Sequence, residues 1–485
     1  MEKINSVFRV LADLLWRQKT SPCVDKGFVT YGCVRKREKS HAMKMTVLVL
    51  VLLVAVLPCR ARTIIVGDDE IAGFSTIQAA LDDADPADTI LVRPGIYKGE
   101  GNRDLDFHGK AITVCSTNPS DLMIVSATVI DCQGSPAEYH RAFIFQSNEN
   151  ERSIINGLTL TGGYADKGGA VSCEPNCSPV IMNCVIRGNV AAESDGGGIN
   201  CLTSTAKILN CLIEDNTAKV YGGGVSCCDG SDLTMSNCII RNNSSGDDGG
   251  GFQCCRSHAA VTGCLFEGNI SGAEGGGIWC LRSIDVDHCT IVGNRASFRG
   301  GGLAGNWDPC VITNSIIRDN LFEDIFLRSA ESEILYSNCV IIGEYPGVGN
   351  IDADPCFAEP GQWVPEANDP AHLIWRSGDF HLKSQAGRWE TKTRSWVTDD
   401  VTSPCIDAGD PRFPIGFEPF PNGGIVNMGA YGGTLEASKS YFGSLPCETI
   451  VAGDVNGDCV VDYKDFCILA LHWCENNRLT ITHSP

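Results

Sequence analysis

Between residues 454 and 465 the chain reads Asp454-Val-Asn456-Gly-Asp458-Cys459-Val460-Val-Asp462-Tyr-Lys-Asp465, with acidic or amide side chains at alternate positions. Calcium takes six or seven oxygens from a short loop, and alternate acidic side chains, one backbone carbonyl and a closing carboxylate supply them. Asp465 to Trp473 then reads as a helix. Without a metal, the same residues read as an Asp/Asn-rich turn before a C-terminal helix.

A second set of acids lies in the middle of the chain. The residues just before successive glycine triplets are Lys167, Asp195, Tyr221, Asp248, Glu274 and Arg299. If these positions stack, Asp248 beside Glu274 would raise one carboxyl pKa or hold calcium. Asp248 and Glu274 are therefore the catalytic candidates, although a solvated corner is the preferred reading. His258, His288 and His381 occupy unrelated positions and form no triad or H-x-x-x-H spacing.

Cysteine is the third reactive type. Cys184, Cys211, Cys238, Cys264 and Cys289 open one repeated phrase, while Cys173, Cys201, Cys227, Cys254 and Cys280 follow the glycine triplets. Buried thiols in such columns behave as small hydrophobes. Cys228 and Cys255 point outward one repeat apart and are the pair best placed for a bridge. Metal-thiolate binding would need a compact C-x-x-C site.

All of these residues depend on one repeat, running from Gly157 to Asn320. Full copies read Cys184-Val-Ile-Arg-Gly-Asn189, Cys211-Leu-Ile-Glu-Asp-Asn216, Cys238-Ile-Ile-Arg-Asn-Asn243, Cys264-Leu-Phe-Glu-Gly-Asn269 and Cys289-Thr-Ile-Val-Gly-Asn294, with Ser315 to Asn320 a sixth copy. Their starts are 25 to 27 residues apart, a period that points to a solenoid. Strand alternation sends the Cys column and Ile186, Ile213, Ile240, Phe266, Ile291 and Ile317 inward. Arg187, Glu214, Arg241 and Glu267 face outward as an expected exposed ion ladder. Val185, Leu212, Ile239, Leu265, Thr290 and Ile316 form an outward apolar stripe, to be covered by a loop or used for docking. The Asn column is expected at strand ends, tolerating left-handed backbone and bonding from coil to coil, and the glycines at a second corner.

Ahead of the repeat, Ser75-Thr-Ile-Gln78 reads as a capping box for a short amphipathic helix that covers the open end of the core. Ile77-Gln-Ala-Ala80, Asp88-Thr-Ile-Leu-Val92, Pro94-Gly-Ile-Tyr97 and Gly109-Lys-Ala-Ile-Thr113 resemble the first turns of right-handed parallel β-helix proteins of the pectate-lyase-like superfamily. Ile186 to Asn189 with Gly196-Gly-Gly-Ile199, and their later copies, resemble the paired motifs of chlamydial polymorphic outer membrane proteins. The resemblance covers Thr63 to Cys339 and implies fold rather than activity, because β-helices host lyases, hydrolases, esterases and adhesins. The Asn-Thr-Asp, Asp-Asp and Gly-His-Gly set of polygalacturonases does not occur. Ser403-Pro-Cys-Ile-Asp-Ala-Gly-Asp410 and Asn427-Met-Gly-Ala-Tyr-Gly-Gly433 resemble a closing segment of exported bacterial β-helices, notably planctomycete ones.

The loop at 454–465 resembles the calcium loop of a type I dockerin. That resemblance implies side-chain ligands Asp454, Asn456, Asp458 and Asp465, the carbonyl of Val460, and Asp462 directly or through water. Cys459 stands where the loop usually has Gly for its sharp turn. Dockerins carry two loops and this chain has one, so cohesin binding is not expected.

Val47 to Leu57 is apolar, follows Lys44 and ends at Pro58-Cys59-Arg60-Ala61. It is too short for a membrane span and fits a signal peptide cleaved after Ala61. Removing residues 1–61 leaves 27 basic against 55 acidic residues, a formal charge near −28. Such a charge excludes nucleic acid and anionic membrane surfaces as natural partners and suits an exported protein.

The expected organisation is an over-called start or leader at 1–42, a signal peptide at 43–61 and a right-handed parallel β-helix at 62–380. A C-terminal cap at 381–446 and a single calcium loop with its helix at 447–485 would follow. The fold class is all-β, a right-handed parallel β-helix solenoid with an N-terminal helical cap and a small C-terminal α-helical calcium-loop module. The expected function is adhesion, binding or scaffolding outside the cell or at its surface, without catalysis and with Ca2+ as cofactor. Its partner would be a polysaccharide or cell-surface protein, and no transmembrane span would remain after signal cleavage. The alternative is a polysaccharide lyase or O-glycosyl hydrolase.

Overall fold

The computed structural model describes residues 61–68, 72–328, 334–343, 345–367, 369–441 and 461–472. The expected leader and nearly all of the signal segment lie outside the described residues. Among those that are described, no helix is long and apolar enough to cross a membrane.

The repeat becomes a coil. After the left-handed Asn183, Val185–Arg187 runs as one strand, Val190–Ala191 as a second, and Ile199–Leu202 with Lys207–Leu209 as a third side. Strands of two to four residues have no stability alone. Each therefore pairs, in parallel, with the same strand of the coils on either side: Val185 lies opposite both Thr159 and Leu212. Repetition yields three stacked sheets of 17, 10 and 6 strands, called here the first, second and third. The ten strands of the second sheet, from Gly95–Lys98 to Val340–Ile341, mark ten turns of a parallel solenoid.

The inward columns fall where the alternation puts them. Ile186, Ile213, Ile240, Phe266, Ile291 and Ile317 are fully buried, and the two cysteine columns are buried beside them. At the start of the solenoid, Ile77–Asp83 is a helix with Ile77, Ala80 and Leu81 buried. Its expected capping box does not form, because the N-cap residue is Thr76 and makes no side-chain cap. Asn102 Oδ1 and the carbonyl of Gly101, from the following coil, accept the N–H groups of Ile77 and Gln78 instead, at 3.0 and 2.9 Å.

The asparagine column also differs from expectation in one respect. The left-handed residues are the ones before it, Gly188, Asp215, Asn242, Gly268, Gly293 and Asp319, which frees each Asn side chain to point inward. Asn243 shows the result. Its Nδ2 donates to the carbonyl of Ile213 at 2.9 Å and to Asn269 Oδ1 at 3.0 Å, while its Oδ1 accepts from both N–H groups of Asn216 at 3.0 Å. At the other corner, a Cβ on Gly223 would lie 2.4 Å from the carbonyl oxygen of Gly250 on the next coil. No side chain fits there.

Beyond Val340–Ile341 the chain turns back along the flank of the second sheet. Leu265, Val292, Ile316 and Val340 pack against Phe357, Phe380, Leu382, Cys405, Ile406 and Met428 in a second apolar cluster. The outward stripe is thus covered by the chain itself over Leu265, Thr290 and Ile316, whereas Leu212 and Ile239 stay partly exposed. The two closing motifs pair with each other and with the coils: Met428 N–H donates to the Cys405 carbonyl at 2.9 Å, and Ala430 N–H to Thr290 Oγ1 at 3.0 Å.

An antiparallel hairpin, Gln362–Glu366 with Asp369–Arg376, ends on the outward ladder. Trp375 Nε1 and Ser377 Oγ donate to Glu267 at 2.9 and 2.6 Å. Glu267 is consequently buried, 1% exposed, and burial pushes its carboxyl up. The ladder is therefore not exposed along its length. Arg241 pairs with Glu214 at 2.6 Å and reaches Glu267 at 4.0 Å, while Arg187 stays in solvent.

Asn243→Ala removes the acceptor for two buried N–H groups and leaves a cavity, so we expect a loss of about 2–4 kcal/mol. Arg187→Ala should stay within about 0.5 kcal/mol. Urea midpoints at fixed pH check both, and equal midpoints would show that the amide column carries no stability.

Candidate functional site

The corner between the third and first sheets brings side chains into rows by backbone geometry alone. Each corner residue precedes a left-handed glycine, Gly196, Gly222, Gly249 or Gly275, so Asp195, Tyr221, Asp248 and Glu274 stand on successive coils. Next to them runs the first outward row of the first sheet, Asn200, Ser226, Gln253 and Trp279 in register. Between the rows lies a cleft of about 360 Å³ whose lining includes Lys167, Asp195, Asn200, Tyr221, Gln253 and Arg256.

The structure does bring Asp248 and Glu274 together, and it adds a residue that the repeat does not announce. Arg328, beyond the last full copy, places Nε 2.7 Å from Glu274 Oε2 and Nη2 3.5 Å from Asp248 Oδ2. Its guanidinium also lies 5.6 Å from the Trp279 ring centroid, a cation–π contact. Tyr221 and Trp279 are nearly parallel at 12°, with centroids 6.4 Å apart. Asp248 Oδ1 accepts the N–H of Glu274 at 3.0 Å, as Asp195 Oδ1 accepts that of Tyr221 at 3.2 Å. These acids thus tie one coil to the next.

Burial decides the electrostatics. Asp248, 5% exposed, is pushed up to about 6 by burial, which outweighs the hydrogen bond from Glu274 N–H and the pull of Arg328. Burial raises Asp195 as well. A carboxyl near 6 can hold a proton in mildly acidic solution.

Cys228 and Cys255, on the same wall, are register partners and both are free thiols. Cys228 Sγ lies 3.2 Å from Gln253 Oε1 and 3.3 Å from Ser226 Oγ. Burial pushes its thiol up to about 12, so it is no ready nucleophile.

Residues 113–296 match the family described as right handed beta helix region, and their strands stack in parallel coil on coil. The fold is a right-handed parallel β-helix. Residues 327–409, the last coils of this β-helix and the start of its returning segment, match the family described as disaggregatase related. No curated protein matches the chain. Among solved structures, a pectate lyase, Pel9A, is similar at 14% identity and a TM-score of 0.38, over 76% of this chain and 96% of that one.

The calcium-loop residues fall partly outside this description. Asp454, Asn456, Asp458 and Val460 lie outside the described residues. Asp462 and Asp465 open the helix Tyr463–His472: Asp462 Oδ1 accepts from Lys464 N–H and Asp465 Oδ2 from Asp462 N–H, both at 2.8 Å. Among the described residues no group of three or more His, Cys, Asp or Glu side chains is arranged to hold a metal.

Because the folded Asp248 carboxyl sits above its ordinary value of 3.8, the fold favours its protonated form. That contribution is complete below about pH 4 and is lost as pH rises through about 6. Asp248→Asn should therefore become more stable relative to the parent between pH 4 and pH 7, by on the order of 2 kcal/mol. Chemical denaturation at the two pH values measures the difference, and a pH-independent difference would contradict it.

Proposed function

We propose that this chain is an exported binding protein, without catalytic turnover, whose corner cleft takes an extended polysaccharide. The observation that carries the reading is the contrast across the corner. Asp248 and Glu274, the acids best placed for chemistry, are held by Arg328 and the backbone. The adjoining cleft of about 360 Å³ is lined by amide, carboxylate and ammonium groups beside Tyr221. Such groups hydrogen-bond hydroxyls, and an aromatic ring supports a sugar face. With 55 acidic against 27 basic residues after the signal, a neutral polymer fits better than an anionic one. Export rests on the apolar run Val47 to Leu57 and its cleavage-site residues.

Calcium is part of the same proposal. The oxygen donors of 454–465 suit a hard cation, which would fix the chain entering the helix Tyr463–His472. A bound ion there supplies rigidity and local positive charge.

One observation favours a second reading, a lyase or glycosidase. An Asp248 carboxyl at about 6 could act as a general acid once a substrate displaced Arg328.

Affinity electrophoresis through gels of xylan, mannan, β-glucan and polygalacturonate separates the two. We expect retardation by a neutral polymer, weakened at least fivefold in Tyr221→Ala, with neither reducing ends nor unsaturated products released. Absence of retardation would refute the binding reading. Product release abolished by Asp248→Asn would replace it with the enzymatic one.

Titration calorimetry with calcium should give one site per chain, lost in Asp454→Ala and in Asp465→Ala. An absence of binding heat in the parent, at several temperatures, would remove the metal from the proposal.

A further inference from the structure

The turn entering the second sheet is left-handed in coil after coil. Its residues are Gly157, Asn183, Asn210, Asn237, Gly263, His288, Asn314 and Asn338, with φ between +49° and +71°. Glycine and asparagine take this conformation at least cost, and the turn itself has no need of an imidazole. The residues just before Asn183 to Asn338 are Met182, Leu209, Ser236, Thr262, Asp287, Thr313 and Ser337. One coil thus carries an Asp-His step where the first carries Asn156-Gly157 and the rest an apolar or hydroxyl residue followed by Asn or Gly.

Asp287 fixes the ring. Its Oδ2 lies 2.9 Å from His288 Nδ1, and its Oδ1 accepts from Thr313 Oγ1 at 2.7 Å and Asn314 Nδ2 at 2.9 Å. In the neutral ring, donation from Nδ1–H to a carboxylate leaves the lone pair on Nε2. His288 is 6% exposed, and its Nε2 is buried without a hydrogen-bond partner among the described residues. Buried polar atoms in folded proteins are nearly always paired; Glu418 Oε2, within electrostatic reach of the ring, is likewise buried without a partner among the described residues, so the two together mark a place for a hydroxyl or a water from outside the chain.

The ring belongs to the wall of a cleft of about 650 Å³ between the coils and the returning segment, within the usual range for small-ligand sites. Asn237, Thr262 and Asp287 stand with it on the coil side, and Phe413, Phe417 and Leu435 on the other. Phe413 covers the imidazole with centroids 5.4 Å apart and is itself 41% exposed, so a ligand reaching Nε2 has to displace it. Phe417 and Leu435 are 71% and 72% exposed. Glu418 ties this lip down, its Oε1 accepting the N–H groups of Asn427 and Gly433 at 2.8 and 2.9 Å.

We propose that this cleft is a second ligand site, for a neutral saccharide, with a sugar hydroxyl donating to His288 Nε2 and an apolar pyranose face lying on Phe417. The acceptor calls for a hydroxyl, and the exposed aromatic lip calls for an apolar surface on the same ligand. The carboxylates Asp287 and Glu436 on the walls oppose an anion. The site lies at the far end of the first-sheet strands from the Asp248 corner and does not rest on the reading of that corner.

His288→Asn tests it, because it restores the residue most coils use, at the cost of the Asp287 pair and of packing beneath Phe413; Phe417→Ala, at an exposed side chain, should leave the melting temperature unchanged and guards against a mere loss of fold. The probes are soluble xylan, mannan and β-glucan, measured by affinity electrophoresis on the full chain. We expect at least a tenfold loss of affinity in His288→Asn and a comparable loss in Phe417→Ala, for a polymer whose binding survives Tyr221→Ala. Binding that Tyr221→Ala abolishes and His288→Asn leaves intact would overturn this site while sparing the corner cleft. Failure of all three polymers to bind the parent would overturn it too.

Discussion

On the five coils from Asn189 to Asn294 a buried asparagine amide donates to a carbonyl of the coil before it and to the asparagine of the coil after it, as Asn216, Asn243 and Asn269 do in turn. Strands of two to four residues cannot hold a sheet unless their register is enforced, and in a parallel stack every coil must be enforced on the next. The amides do this from inside, where an unmade bond is expensive. Triple-glycine corners do it sterically, since a Cβ on the middle glycine would meet the neighbouring backbone. Cleft rows, ion ladder and thiol columns are all consequences of that enforced register.

Departures from the repeat then mark the places where non-repeating chain touches the coils. Gly268 and Gly293 stand where other coils have Gly188, Asp215, Asn242 and Asp319; a Cβ on either would fall within 2.4 Å of the Trp375 ring, whereas one on Gly188 would meet only Thr161 Oγ1 at 3.7 Å. The hairpin that carries Trp375 also buries Glu267, so the ladder ends where the hairpin lands. Gly429, from the closing motif, is pressed between Thr290 and Ile316, where a Cβ would come within 2.9 Å of each. The Asp-His step at 287 and 288 is another departure, and it too faces the returning segment.

Periodicity makes the β-helix, its inward columns and the stacking of Asp248 beside Glu274 legible in the sequence, because period and pleat fix which face a residue takes. Partners separated by long loops were another matter. Arg328, which pairs with both acids, lies 80 and 54 residues from them in a part of the chain where the repeat has decayed. Trp375 and the 403–433 motifs are placed by packing against coils 70 to 140 residues earlier, and packing of that kind leaves no period. His288 was visible as a histidine, but its importance appears only when the turn column is aligned by backbone conformation. The helix start misled for a related reason: Asn102, from the next coil, supplies the acceptor that a local capping box would have provided.

The thiols complete the argument about what the repeat is for. In one column each Sγ lies near the carbonyl two residues back, at 3.1 to 3.4 Å for Cys184, Cys211, Cys238, Cys264 and Cys289. The N–H groups of Cys211 and Cys238 in turn meet the sulfur of the next coil at 3.4 Å. Ser315 stands in the same column and makes both contacts with oxygen: its Oγ donates to the Thr313 carbonyl at 2.7 Å and accepts from Cys289 N–H at 3.0 Å. A hydroxyl can neither bridge nor bind a soft metal as a thiolate does, yet it serves the column. The property used in that column is therefore a small buried side chain that hydrogen-bonds along the stack.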